Sequence, residues 1–280
     1  MHSHVEGAVV DYVNLFDAIA PTLAGFHYEE GTRHVAFGQV NKIGNRIFLV
    51  AYTGYDARAL LLFDVNRQQE LFESIQPGRF HARKTHALID PRQRSLLIEN
   101  RKGHLRPDDL ATAIELIARK LPGYETVELE FNPVAESEFV RQIEQFQRIQ
   151  QATISLARPN PDWTDRHHQL TEVADESEAK AIDVTVRAKR EKSIAKDSGL
   201  IKFIKEFAAL PQSIFKRISI TGSRDDDAGL ITLNLSKHVE HIDLLADLDP
   251  VTGQPNESEV RNTMDSYLAG KENPPNAPSS

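Results

Sequence analysis

Three times along this chain, two runs rich in β-branched and aromatic residues are joined by a few residues of turn character. HVAFGQV and NRIFLVAY flank NKIG; THALID (85–90) and RSLLIE (94–99) flank Pro91-Arg92-Gln93; IFKRISITG (214–222) and LITLNLS (230–236) flank DDDAG (225–229). Strands joined so closely run antiparallel, because a parallel pair needs a crossover of about a dozen residues. Between these runs the apolar period turns helical. Val13, Phe16, Ile19 and Ala20 share one face before Pro21 and Gly25. Pro107 opens DDLATAIELIARKL, with Asp108 and Asp109 at the positive end, Arg119 and Lys120 at the negative end, and Pro122-Gly123 as the stop. Phe139, Ile143 and Phe146 mark a third helix, and Leu200, Ile204 and Phe207 a fourth.

The fold class these patterns predict is α+β: hairpin-rich mixed or antiparallel sheets backed by helices, a pattern open to two lobes or to one shared sheet. ETVELEF (125–131), the helix after it and QATISLA (151–157) read as a crossover unit with two strands on the same side of one helix. ALLLFDV (59–65) is too continuously apolar for a half-exposed strand and is expected to be buried, followed by a helical turn from Gln68 to Ser74. PNPDW (159–163) is the sharpest break. The expected organisation is therefore an N-terminal domain over 1–158, a second over 159–256, and a flexible acidic, proline-rich tail over 257–280.

Composition narrows the chemistry. With no cysteine, thiol nucleophiles, CxxC pairs and cysteine-based zinc sites are excluded. No run approaches the ~20 apolar residues of a membrane helix, and the first fifteen residues lack the pattern of a signal peptide, so the expectation is a cytoplasmic protein that does not span a membrane. No GxSxG, Walker loop or GxGxxG is present.

The net charge of −8 conceals two basic windows. Residues 79–106 carry a net +6, with Arg83, Lys84, Arg92, Arg94, Arg101 and Lys102 as candidate phosphate contacts. Residues 187–205 carry +5, with Arg187, Lys189, Arg190, Lys192 and Lys196. Gripping phosphate requires several cations held together, and an acidic remainder limits indiscriminate adhesion. Aromatic residues are scarce in both windows, which favours a hold on duplex backbone over a stacking platform for single strands.

Other polar groups read blandly. GSRDDDAG (222–229) has the residues of a two-metal nucleotidyltransferase site, but Asp225 and Asp227 stand too close to the phosphate-binding serine, and a hairpin loop needs the same residues. Asp165-Arg166-His167-His168 and His238-Val239-Glu240-His241 lack the HExxH spacing and read as surface or capping histidines, MHSH reads as a disordered start, and Glu128 with Glu130 as an exposed strand face.

ATISLARPNPDW (152–163), placed after strand-helix-strand, and the later order LIKFIKEFAALPQSIFKRISITG to GLITLNLS resemble a bacterial family carried in prophages and defence islands. More distantly they resemble the RexA-like phage-exclusion proteins, whose fold is related to the RdgC-like recombination-associated family. The resemblance spans roughly 33–250. It implies a two-lobed homodimer that binds double-stranded DNA largely without sequence preference in phage exclusion and performs no chemistry, with a membrane effector as a partner; no cofactor and no metal is expected. The alternatives are a metal-dependent nuclease or nucleotidyltransferase using Asp225, Asp227 and Glu128 or Glu130, and an interaction subunit whose acidic stretches (172–178, 240–259) dock a protein.

Overall fold

The computed structural model describes residues 2–4, 10–157, 181–208, 215–225, 229–244 and 246–272. The architecture is α+β with antiparallel sheets. The chain divides into two compact units, and neither is a continuous segment: one takes 11–92, 96–125 and 244–280, the other 1–10, 93–95 and 126–243.

In the first unit, helix α1 (Tyr12–Leu23) precedes β2 (His27–Glu30), β3 (Arg33–Ile43) and β4 (Arg46–Tyr55), and β7 (Arg83–Asp90) with β8 (Ser95–Ile98) completes a sheet ordered β2-β3-β4-β7-β8. Gly44, at φ +58°, lets β3 turn into β4 in two residues. Gly38 sits at a bulge of β3, where a Cβ would stand 2.7 Å from the Tyr52 ring. Ile47, Leu49, Ala51, Ala87 and Ile89 are buried, and so are the intervening Phe48, Val50 and Leu88, so the centre of the sheet is covered on both faces. Helix α2 (Pro107–Ala118) packs on α1 and buries Leu110, Ile114 and Ile117.

The other face is closed by the segment expected to be a flexible tail. Residues 257–272 form helix α5 (Glu257–Glu272), and Val260, Met264 and Leu268 cluster with Phe48, Val50 and Leu88. Their spacing of four residues is the helical stripe that the acidic, proline-rich composition obscured; residues 273–280 lie outside the described residues.

ALLLFDV behaves oppositely. β5 (Ala59–Asp64) pairs with β6 (Gln69–Ser74), where a helical turn was expected, and the two strands form a sheet of their own. Leu61, Phe63 and Phe72 are 59%, 61% and 69% exposed. Among the described residues no layer lies over them, and a continuous apolar run does not bury itself.

In the second unit, β10 (Arg148–Ala157), β11 (Ala181–Arg187), β12 (Phe215–Ser223) and β13 (Ile231–Asn234) form a sheet ordered β11-β10-β12-β13. The boundary at 158 is therefore not where the chain divides, because β10 pairs with β11 and β12 across it. Nor is there a crossover: β9 (Glu128–Glu130) pairs not with β10 but with β1 (His2–His4), so the expected disordered start is a strand. Helix α3 (Ser137–Glu144) lays Phe139 and Ile143, and α4 (Gly199–Phe207) lays Ile201 and Ile204, against Ala152, Ile154, Leu156, Ile218, Ile220 and Leu233. Both helices occupy one face of this sheet. RPNPD, the sharpest element of the resemblance, lies outside the described residues, as do Asp165 to His168, the acidic stretch 172–178, Asp226 and Asp227.

Candidate nucleic-acid interface

The face of the β11-β10-β12-β13 sheet turned away from α3 and α4 is polar throughout, and strand register dictates this. Residues opposite one another share a face, and with Ala152, Ile154, Ile218 and Ile220 turned to the core, their neighbours turn away. Three cross-strand rows result: Arg187, Gln151, Thr221 and Thr232; Thr185, Thr153, Ser219 and Asn234; Asp183, Ser155 and Arg217. Thr153 Oγ1 lies 3.1 Å from Thr185 Oγ1, and Thr221 Oγ1 lies 3.0 Å from Thr232 Oγ1. Short hydroxyl and amide groups at strand spacing can donate to phosphate and sugar oxygens at several points.

Cations collect at one end of this face. Arg187 closes β11, and its Nε donates to Gln151 Oε1 at 3.1 Å, so the guanidinium is held across the sheet. The chain then turns back along β10: Ala188 N donates to Gln150 O at 2.8 Å, Ile194 N to Ile149 O at 2.9 Å, and Ile149 N to Ser193 Oγ at 3.0 Å. That strap presents Lys189, Arg190 and Lys192 exposed to solvent. Arg148, whose Nε donates to Lys192 O at 3.2 Å, stands beside them. It lies outside both basic windows; only the β10 register brings it in.

Not every cation of the second window is available. Lys196 donates to Glu144 O at 2.7 Å. Lys205 lies 2.5 Å from Glu144 and 2.9 Å from Asp197, and these hydrogen bonds raise its pKa. Arg190 is 3.9 Å from Glu191, both almost fully exposed, which in water is worth little.

The first window falls apart in space. Arg83 and Lys84 begin β7 whereas Arg92 lies beyond its far end, about 25 Å away for an eight-residue strand. Arg94 belongs to the second unit while the rest belong to the first. Lys84 is paired with Glu257 of α5 at 2.7 Å, half-buried. Arg101 Nε is 2.9 Å from Glu99, a buried carboxylate that also meets His86 Nδ1 at 3.0 Å. Burial alone would raise the Glu99 pKa, but the hydrogen bonds from His86 and the charge of Arg101 hold it below its usual value. Arg83 Nη1 donates to Lys102 O at 3.0 Å, leaving the Lys102 ammonium exposed. Strand geometry thus separates this window, and neighbouring carboxylates commit Lys84 and Arg101 to structure.

The remaining polar motifs take structural partners. Glu130 pairs with Lys216 at 2.5 Å. His238 Nδ1 meets Glu136 Oε1 at 2.7 Å beside the start of α3, and Asp225 is exposed in its hairpin loop. Sequence reading passed over His27, Glu29 and His34, which a two-residue turn brings face to face.

Fold and surface together define an α+β protein with one sheet face closed by helices and the opposite face polar and cation-rimmed. A family model described as a domain of unknown function, DUF4747, matches residues 1–210, and the chain belongs to that family. No curated protein matches it. No helix among the described residues is long and apolar enough to cross a membrane.

Proposed function

We propose that the protein binds double-stranded DNA through its phosphate backbone, largely without sequence preference and without chemistry on the nucleic acid. The observation that carries this reading is the polar β11-β10-β12-β13 face, rimmed by Arg148, Arg187, Lys189, Arg190 and Lys192. Hydroxyl and amide rows supply neutral donors, the strap supplies charge, and among the described residues no stacked aromatic platform accompanies them. Phosphate contacts of this kind orient a duplex without reading its bases.

The test is a low-salt titration of the full chain against fluorescent duplexes of unrelated sequence, with single-stranded DNA and RNA alongside. If each of the five rim cations neutralises one phosphate, log K falls against log salt with a slope of about −4.5, a loss of roughly 500-fold between 50 and 200 mM. The triple variant Arg187→Gln, Arg190→Gln, Lys192→Gln is expected to flatten the slope by about 2.7. Binding that is absent at low salt, insensitive to salt, or unchanged in the triple variant removes the reading. The homodimer and the role in phage exclusion follow the resemblance to RexA-like and RdgC-like proteins. Light scattering of the purified chain tests the first, and plaque counts in cells with and without the protein test the second.

A further inference from the structure

We propose that the β2–β3 hairpin carries a zinc-type divalent-metal site whose ligands are His27, Glu29 and His34, with Asp56 as the outer carboxylate. Strand alternation places His27 and Glu29 on one face of β2, and the register sets His34 directly opposite Glu29. Gly31, at φ +62°, makes the tight turn between them. The three donor atoms form a compact triangle. His27 Nε2 lies 3.2 Å from His34 Nδ1, His34 Nδ1 lies 3.4 Å from Glu29 Oε1, and His27 Nε2 lies 3.9 Å from Glu29 Oε1. A point equidistant from three corners so spaced lies about 2.0 Å from each, the bond length zinc takes to imidazole nitrogen and carboxylate oxygen.

Donors about 2.1 Å from an ion stand about 3.4 Å apart at the tetrahedral angle and about 3.0 Å apart at a right angle. The His27–His34 and His34–Glu29 edges, 3.2 and 3.4 Å, lie at or between these values, while the His27–Glu29 edge of 3.9 Å is wider than either, so tetrahedral binding requires the exposed Glu29 carboxylate to close toward His27. Three protein ligands leave a fourth position, and with His27 and Glu29 both exposed it opens to solvent, where water or an oxygen-donor ligand binds.

An independent feature points the same way. His34 Nε2 lies 2.7 Å from Asp56 Oδ1. An ionised carboxylate only accepts, so in the neutral imidazole tautomer that this contact selects Nε2 carries the proton and Nδ1 is the lone pair facing His27 and Glu29. A carboxylate that fixes the tautomer of a ligating histidine in this way is the usual outer support of a zinc site. The ring is held as well as polarised: Phe80 stacks on His34 with centroids 4.9 Å apart and planes 6° from parallel. Gly54, opposite His34 on β4, makes room for the stacked Phe80, since a Cβ there would overlap both the Phe80 ring and His81 O. A histidine–histidine hydrogen bond accounts for the 3.2 Å contact alone. It does not account for a carboxylate at ligand distance from both rings or for the buttressing of His34. When the ion binds, the His27 proton moves from Nε2 to Nδ1, and no oxidant or reductant is needed.

The experiment uses the untagged full chain, stripped with chelator and titrated with zinc chloride by calorimetry; cobalt loading reads the geometry. One zinc per chain is expected at this site, with the visible absorption of four-coordinate cobalt. The double variant His27→Ala, His34→Ala abolishes that uptake. Glu29→Gln, an exposed change that leaves the circular dichroism intact, weakens it at least tenfold, and Asp56→Asn weakens it about 10- to 100-fold. No stoichiometric zinc in the wild-type chain overturns the proposal. So does zinc retained by the folded double variant, which places the ion on other histidines, or a cobalt spectrum of six-coordinate character.

Discussion

Asp109 carries the most heavily committed carboxylate of the first unit, and replacing it with asparagine isolates what that charge does. Its oxygens lie 2.6 Å from both Arg33 Nη1 and Nη2, its Oδ1 2.7 Å from Arg106 Nη2, and its Oδ2 accepts from Arg106 N at 2.7 Å. The Asp109 side chain is 2% exposed and that of Arg33 10%, whereas Arg106 is 58% exposed. An asparagine side chain is nearly isosteric but neutral, so in the Asp109→Asn variant the Arg33 guanidinium loses its counter-ion and keeps the His104 carbonyl, 3.2 Å from Nη2, as an acceptor. Leaving one buried charge without its counter-ion costs about 3–5 kcal/mol. The loss at Arg106, in high dielectric, adds no more than about 1 kcal/mol. The pH dependence has a definite sign. Burial alone would raise the Asp109 pKa, but the hydrogen bonds from Arg106 and Arg33 lower it. Its stabilisation is therefore complete above the unfolded value of about 3.9 and is lost as pH falls through the lower folded value. Urea unfolding at pH 7, with amide exchange of α2 and β3 to localise the effect, is expected to show the Asp109→Asn deficit, and the deficit is expected to shrink below about pH 4. A deficit under about 1 kcal/mol at pH 7, or one equally large in acid, refutes the reasoning.

Met264→Ala should destabilise the first unit by about 2–5 kcal/mol, read by denaturation, because it opens a cavity between α5 and β4 where the side chain is 2% exposed. Gly222→Ala drives a Cβ into Arg148 O, so β10 and β12 must part, and a loss of about 1–3 kcal/mol in thermal unfolding follows. Phe72→Asp, on the exposed β5–β6 hairpin, should leave stability within about 0.5 kcal/mol by the same measurement. For duplex binding, Arg190→Gln should lower the salt slope by about one, whereas Arg101→Gln and Lys84→Gln should leave it unchanged in the same titration, because Glu99 and Glu257 already hold those cations.

Much of the local structure was written in the sequence itself. The turns at Gly44 and Pro91, the proline start and glycine stop of α2, and the alternation of β10 and β12 act over a few residues, where turn chemistry and side-chain period decide the outcome. The α+β class followed from them. Local pattern could not say what covers what. Phe48-Leu49-Val50 and Leu60-Leu61-Leu62 are equally apolar, yet the first is buried on both faces by elements as distant in sequence as α5, and much of the second stands in solvent. The two basic windows looked alike for the same reason. In one, a strand drives the cations to opposite ends and carboxylates brought up by the fold take two of them; in the other, a strap folds back on β10 and gathers Arg148. Periodicity is a property of neighbours along the chain. Burial and charge convergence belong to partners tens to hundreds of residues away, which only the tertiary fold brings together.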